Sequence, residues 1–171
     1  KVSGALRYAG DMVMPGMLHM QVLRSPHAHA KILSIDTSAA EALEGVECVV
    51  TCDDVPGEDG FGVFVHDQPI MARGKVRYVG EAVAAVAAED LATARKAVAL
   101  IRVEYETLPA LFDAEAAMKP GAPVVHDYAP DNLVKHIPVR KGDVEAGFAA
   151  ADLIIEEEYS TQAVEHAYLE P

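Results

Sequence analysis

The stretch AVAAVAAEDLATARKAVALIRVEYETLP, residues 82–109, carries the clearest secondary-structure pattern in this 171-residue chain. Its nearly all-apolar first part, Ala82–Ala88, predicts a strand that is covered on both faces. Glu89 and Asp90 then provide an acidic helix start. Apolar residues follow at helical spacing: Leu91, Ala94, Val98 and Ile101. Alternation over 101–105 predicts a second strand, and any parallel pairing within such a strand–helix–strand unit should be right-handed.

Shorter patterns upstream of this unit predict further strands, one helix and an irregular loop. The predicted strands are Met17–Arg24, Lys31–Asp36, Val46–Thr51 and Lys75–Val79. Ser25 and Pro26 interrupt the first two strands, which favours a hairpin connection between them. Thr37 or Ser38 can cap a helix that runs through Leu43 and ends at Gly45. The glycine-rich stretch 53–67 predicts a surface loop.

Composition and charge narrow the class of partner. The formal net charge of −13 disfavours nucleic acid, because phosphate binding needs clustered lysine and arginine. No apolar run approaches the ~20 residues that a membrane-spanning helix requires. No basic-then-apolar signal opens the chain, so we expect a soluble cytoplasmic protein without a membrane partner.

The two cysteines, Cys48 and Cys52, lie within one predicted strand. Four residues of strand place them ~13 Å apart on the same face, too far for a disulfide. Their spacing is neither the redox C-x-x-C motif nor half of a zinc site. We therefore expect buried free thiols.

The H-x-H pair His27 and His29 could offer two imidazoles to a metal ion. No spacing singles out a third ligand among the other histidines, which are His19, His66, His126, His136 and His166. Beside a Ser-Pro turn, we expect these rings to bond to nearby backbone instead. The glycines at 57–62 match neither a dinucleotide loop nor a P-loop, and no nucleophile elbow is present. The sequence therefore names no metal, cofactor-binding or catalytic residue.

The chain changes character after Pro109. Prolines at 120, 123 and 130 make residues 110–132 a poor setting for a domain core and a good one for a connecting arm. Beyond the arm, 133–139 and 153–160 are strand-like, and a capped helix is predicted over 143–150. Near the end, Glu165, His166 and Glu170 surround Tyr168, which favours strand positioning or an interdomain contact over an acid–base site.

Six strings together resemble the molybdenum hydroxylases, the xanthine dehydrogenase and aldehyde oxidase family. They are VSGALRYAGD (2–11), MLHMQVLRSPHAHAKILSIDTSAA (17–40), GVECVVTCDDVPG (45–57), DQPIMARGKVRYVGEAVAAVAAED (67–90), IRVEYETLPA (101–110) and KGDVEAGFAAADLIIEEEYSTQAVEHAYLEP (141–171). They cover nearly the whole chain in the family's order. The sequence FVHDQPIMARGKVRYVGE, residues 64–81, most resembles bacterial xanthine dehydrogenase-like subunits. Relatives acting on nicotinate, aldehydes, hydroxybenzoyl-CoA or carbon monoxide have similar regions.

This resemblance implies an α+β fold. Residues 1–110 would form an a/b hammerhead domain with a mixed sheet and short helices, 111–132 a linker, and 133–171 the first strands of a molybdenum-binding domain that is truncated at Pro171. The implied reaction is oxidative hydroxylation of a purine, an N-heteroaromatic or an aldehyde with oxygen from water. The full enzyme would carry a molybdopterin-type molybdenum cofactor, with [2Fe–2S] clusters and FAD on partner subunits or domains.

In this family the cofactor loops and the glutamate base lie beyond the VEHAYLEP-like motif, so the resemblance implies a fragment that is inactive alone. Its implied partners are the rest of the molybdenum subunit, the iron–sulfur and FAD subunits, and further copies in a homo-oligomeric complex. The expected interface residues are Arg77, Tyr78, Val79, Gly80, Glu81, Glu165, His166 and Glu170. The alternative is a free-standing hammerhead scaffold or assembly module without redox chemistry.

Limited proteolysis tests the predicted organisation. We expect the first cuts to fall within 110–132, because the strands and helix of 1–110 can share one core. The strands after 133 lack sheet partners in this sequence and should fray or oligomerise. Earlier cutting inside 1–110, mapped by mass spectrometry, would contradict the predicted boundary.

Overall fold

The computed structural model describes residues 3–57, 60–62 and 65–165. Within these residues the strands are β1 His19–Arg24, β2 Ala30–Asp36, β3 Val46–Thr51, β4 Lys75–Val76, β5 Ala82–Ala88 and β6 Arg102–Thr107. The helices are α1 Ser38–Glu41, α2 Leu91–Leu100, α3 Ala114–Ala117 and α4 Val144–Ala149. Two three-stranded antiparallel sheets result, in the orders β1-β5-β3 and β4-β2-β6. The α+β class is confirmed.

The alanine-rich β5 is the central strand of the first sheet, and α2 packs on one face of it. Asp90 begins that helix as predicted, because its Oδ1 accepts a hydrogen bond from Thr93 N at 2.8 Å. The small side chains of the strand and the helix let the two backbones approach closely. The buried residues of this core are Ala40, Ala84, Val86, Ala97 and Ile101.

The opposite face of the first sheet is covered at its central strand, where Val83 and Ala85 are buried, and is more open at its edges. Leu18 and Met20 are exposed on it, and Cys48 is exposed as well. β5 itself is covered on both faces as predicted, since five of its seven residues are buried, whereas burial of Cys48 was a wrong prediction. The reason is position, because β3 and β1 are edge strands and only their helix-facing side chains meet α1 or α2. Neither cysteine forms a disulfide, as predicted.

Chain connections run between the two sheets rather than within them. β1 and β2 lie in different sheets, so the predicted hairpin at Ser25 and Pro26 is wrong. β5 and β6 are also in different sheets, so the strand–helix–strand unit forms no parallel pair. Both differences from the prediction have the same cause. Each of these strands pairs with a strand distant in sequence, and local residue spacing does not determine which strand that is.

The second sheet packs on a further core, to which Val83 of β5 in the first sheet also contributes. Ala30, Ala72, Val76 and Val83 are fully buried there, with Tyr105 packed against them. β4 ends at Val76, three residues before the predicted end, because residues 77–81 form a turn.

The arm after Pro109 is ordered around Asn132, the one described residue other than glycine with a positive φ, +55°. Its side-chain amide donates to the carbonyl oxygens of Ala117 and Pro123 at 2.9 Å. Its Oδ1 accepts from Val125 N at 2.9 Å. One side chain thus satisfies three backbone groups of a segment that has little regular structure.

Contacts along the chain group residues 13–134 into one compact unit, and 3–12 with 135–165 into another. In the second unit α4 confirms the predicted helix, and its Asp143 cap accepts from Ala146 N at 3.0 Å. The predicted strands at 133–139 and 153–160 are wrong, since both segments are irregular and lack a paired strand among the described residues. Extended chain becomes a strand only with a ladder partner. None of the described helices is long and apolar enough to cross a membrane.

Candidate interaction site at the 77–81 turn

The turn at residues 77–81 is fixed by backbone bonds to Ser25. Gly80 N donates to Ser25 O at 2.8 Å, and Ser25 N donates to Glu81 O at 2.8 Å. Arg24 Nη1 adds a bond to Gly80 O at 2.8 Å. Gly80 has a φ of +93°, a conformation that side chains with a Cβ rarely adopt. The turn is therefore held in one shape by its neighbours and by glycine chemistry.

Glu81 closes the turn from inside. Its side chain is buried, with the residue only 3% exposed, and its Oε2 accepts a hydrogen bond from Arg77 N at 2.5 Å. A buried carboxylate requires such donors, because burial without them costs several kcal/mol. Tyr78 and Val79 lie between Arg77 and Glu81, and both are exposed to solvent.

A cleft of about 370 Å³ lies beside this turn. Its lining comes from Phe61 and residues 67–69, from the 77–81 turn, and from His126 of the arm. Its lining combines aromatic, polar and charged side chains, namely Phe61, Asp67, Gln68, Pro69, Arg77, Tyr78, Glu81 and His126. The arrangement brings the predicted interface turn together with two segments that the sequence did not connect to it.

The arm is tied to the turn by polar contacts. Arg77 Nε donates to Val125 O at 3.2 Å, and Lys75 Nζ lies 3.2 Å from Asp127 Oδ1. Tyr128 donates its hydroxyl proton to Asp67 Oδ2 at 2.6 Å. Because Asp127 is 84% exposed, its ion pair with Lys75 contributes little to the stability of the fold.

Two titrating groups at the cleft, His126 and Tyr128, have shifted pKa values. Burial, and then the nearby Arg77 guanidinium and Lys75, lower the pKa of His126 below its usual 6.5, against the opposing effect of Asp67 and Asp127. His126 Nε2 is 3.9 Å from Asp67 Oδ2. The hydrogen bond to Asp67 raises the pKa of the Tyr128 phenol. Because its pKa lies below 6.5, the His126 imidazole is neutral at physiological pH.

Of the two H-x-H rings, His29 makes the expected bond to backbone, whereas the His27 ring contacts another side chain. His29 is buried and its Nδ1 lies 2.7 Å from Pro109 O, which requires a proton on Nδ1. Its Nε2 has no partner among the described residues. The His27 ring packs edge-on against Tyr105, with ring centroids 4.8 Å apart. The Pro109 partner is distant in sequence rather than nearby as expected.

The second group of predicted interface residues lies near the end of the chain. Glu165 is exposed in the unit that contains 135–165. His166 and Glu170 lie outside the described residues. Across the described ranges no group of three or more His, Cys, Asp or Glu side chains could hold a metal ion.

Comparison with known proteins identifies the family. The sequence profile "Aldehyde oxidase and xanthine dehydrogenase, a/b hammerhead domain" matches residues 3–109, and the profile "Molybdopterin cofactor-binding domain" matches 125–171. The chain therefore belongs to the aldehyde oxidase and xanthine dehydrogenase family, and the hammerhead fold expected from the sequence is confirmed.

Individual relatives are similar over nearly the whole chain. A probable xanthine dehydrogenase subunit of Bacillus subtilis is 45% identical over 99% of the chain and 23% of its own length. The nicotinate dehydrogenase large molybdopterin subunit of Eubacterium barkeri is 38% identical over 100% of the chain and 40% of its own length. The CO dehydrogenase structure from Oligotropha carboxidovorans superposes with a TM-score of 0.76 at 37% identity, over 89% of this chain and 21% of that one. The chain thus spans at most 40% of the length of each.

The described residues do not fit the molybdopterin cofactor itself. A phosphorylated pterin dithiolate is anionic, whereas the cleft at the turn presents the carboxylates of Asp67 and Glu81. The Arg77 guanidinium is already directed at two carbonyl oxygens. Most side chains of 135–165 are exposed and enclose no polar site. No chemical step is therefore assigned to the cofactor in this chain.

Sequence patterns predicted three of the eight residues that line the cleft, namely Arg77, Tyr78 and Glu81, and missed the other five. Asp67 and His126 were not predicted as site residues, and neither was Phe61. Asp67 is the first residue of the 67–90 string that resembles the family, and this resemblance could have indicated it. His126 gave no signal, because the arm meets the turn through tertiary contacts alone.

Replacement of Gly80 by alanine tests the strained turn. We expect Gly80→Ala to lower the free energy of unfolding by about 1–2 kcal/mol, since a Cβ at this φ meets the backbone although no other atom lies nearby. Gly80→Asn should lose less, because asparagine tolerates positive φ better. Urea denaturation followed by circular dichroism measures both. Equal losses for the two variants would argue against φ strain.

The lowered pKa of His126 predicts an acid-sensitive fold. The unfolded chain takes up the His126 proton more readily, so stability is complete above the ordinary value of 6.5 and is lost as pH falls from there through the folded pKa. His126→Gln should flatten the decline of the urea midpoint in this window. His136→Gln, at an exposed histidine, provides the matched control. An unchanged decline in the His126 variant would contradict the assignment.

Proposed function

We propose that this chain is the N-terminal part of the molybdenum-cofactor subunit of a xanthine dehydrogenase-like hydroxylase. The full enzyme would hydroxylate a purine, an N-heteroaromatic or an aldehyde with oxygen from water. The observation that carries the proposal is the ordered match of two family profiles, hammerhead first and molybdopterin cofactor-binding domain second. The names of the relatives, a xanthine dehydrogenase and a nicotinate dehydrogenase, support the substrate class.

In this proposal the chain supplies scaffold rather than catalysis and is inactive alone. Residues 1–110 form the hammerhead domain, 111–132 the linker and 133–171 the start of the cofactor-binding domain. Exposed apolar side chains after residue 133 support this division, among them Ile137, Val139 and Ile155. Such side chains are usually covered by further polypeptide. The rest of the molybdenum subunit would provide that cover and the pterin-binding loops.

We further propose that iron–sulfur and FAD polypeptides receive the electrons, in a cytoplasmic complex that contains more than one copy of each subunit. The turn at 77–81 is the proposed contact surface on the hammerhead side. Tyr78 and Val79 are exposed at its tip, and the buried Glu81 holds the tip rigid. Exposed aromatic anchors on a rigid support are typical of protein interfaces. Glu165, His166 and Glu170 belong to a second proposed contact region.

Metal analysis of the intact complex tests this function. Purification of the native assembly that contains this chain should yield molybdenum and iron by mass spectrometry, together with visible iron–sulfur absorbance. The gene should also continue for several hundred residues past Pro171. Absence of both metals from the native assembly would contradict the enzyme. A stop codon at Pro171 with no co-purifying polypeptide would instead support a free-standing scaffold module.

A further inference from the structure

We propose that an apolar groove on the arm receives apolar side chains from the polypeptide that follows this chain in the complete molybdenum subunit. This inference rests on the proposed function and goes beyond it, because it names the docking surface and its anchor, Phe112. It is carried by the composition of the groove, by the exposure of its apolar side chains and by the greater length of the relatives.

The groove has a volume of about 410 Å³, and every residue that lines it belongs to the compact unit of residues 13–134. Its lining comes from the segment 111–118, which includes α3, and from the segment 125–134. Eight of the eleven lining residues are apolar, among them Phe112, Met118 and Val134. The groove is therefore an apolar surface between two parts of the same arm.

The polar side chains in the lining are occupied within the arm. Asp113 begins α3, and its Oδ1 accepts a hydrogen bond from Ala116 N at 2.6 Å. Asn132 holds three backbone groups through its side-chain amide. The third polar residue, His126, is neutral at physiological pH. An apolar ligand therefore matches the groove better than a polar one, and the bonds within the arm hold the groove ready for it.

The apolar side chains of the groove are open to solvent. Phe112 is 89% exposed, Met118 is 54% exposed and Val134 is 50% exposed. A concentration of exposed apolar side chains on an ordered support marks an interaction surface. Small-molecule sites bury most of their ligand, whereas a surface as open as this one suits a polypeptide.

The length of the relatives indicates which polypeptide covers the groove. This chain spans 23% of the Bacillus subtilis relative and 40% of the Eubacterium barkeri relative. The molybdopterin cofactor-binding profile begins at residue 125, so one wall of the groove belongs to the start of that domain. Later parts of the same domain pack around a shared core. Because they are tethered to the arm, their effective concentration exceeds that of a separate polypeptide.

Methionine oxidation tests the inference without a substitution. The samples are the 171-residue chain, the complete subunit produced from its whole gene, and the native assembly. Dilute hydrogen peroxide is the reagent, N-acetylmethionine amide is the internal reference, and mass spectrometry gives the rate at Met118. We expect Met118 to react about tenfold more slowly in the complete subunit than in the 171-residue chain, because oxidation follows exposure.

Two variants of the complete subunit locate the protecting contact. Phe112→Ser removes the anchor and should speed the oxidation of Met118 about fivefold. Val79→Ser removes an apolar side chain at the exposed tip of the 77–81 turn and should change the rate less than about twofold. Circular dichroism spectra like that of the parent subunit establish that both variants fold. The comparison of the unsubstituted samples decides the inference even where a variant does not fold.

Equal rates at Met118 in the 171-residue chain and the complete subunit overturn the inference, and so do equal effects of the two variants. Protection that arises only in the native assembly overturns it in favour of a separate polypeptide. Protection that rises with the concentration of the 171-residue chain overturns it in favour of a second copy.

The same samples separate this inference from the proposed function. A native assembly that contains molybdenum, with Met118 unprotected in its complete subunit, refutes this inference alone. A protected Met118 in the subunit of a metal-free assembly refutes the proposed enzyme alone.

Discussion

The backbone pairing of Ser25 with Gly80 and Glu81 is the constraint on which the hammerhead architecture depends. The chain leaves the first sheet for the second after β1, and it returns from the second to the first after β4. Both connections pass the same point, and these two hydrogen bonds lock them together. The bonds extend the β1–β5 ladder beyond its bulge at Leu23 and Arg24, so that one ladder sets the position of both sheets.

The candidate site is a direct product of this crossing. Because residues 77–81 must turn sharply between sheets, the chain needs glycine at position 80 and an internal acceptor, which Glu81 supplies. The arm then returns across the turn through Arg77 and Val125. A requirement of the fold thus produces a rigid exposed tip, and the same buried acid contributes negative charge to the adjacent cleft.

Local chemistry in the sequence predicted much of the secondary structure, and tertiary choices escaped it. The α2 helix was predicted from its Asp90 cap and its apolar spacing, because both operate within a few residues. The hairpin at Ser25 was wrong, since the partners of β1 and β2 lie more than forty residues away. Cys48 was misplaced because alternation does not reveal which face of an edge strand is covered. The turn was predicted from the resemblance of residues 67–90 to the family. The place of His126 in the cleft depends on how the arm folds back, which the sequence pattern does not show.

The small side chains of the β5–α2 contact constrain how the sequence can drift over evolution. Ala84, Ala94 and Ala97 are fully buried where strand and helix approach each other. Leucine or phenylalanine at these positions would need space that close packing does not provide. Loss of a methyl group, by contrast, would introduce glycine into a strand or a helix. Substitution is therefore restricted in both directions, and divergence among relatives with this domain should concentrate on its exposed faces rather than on this alanine contact.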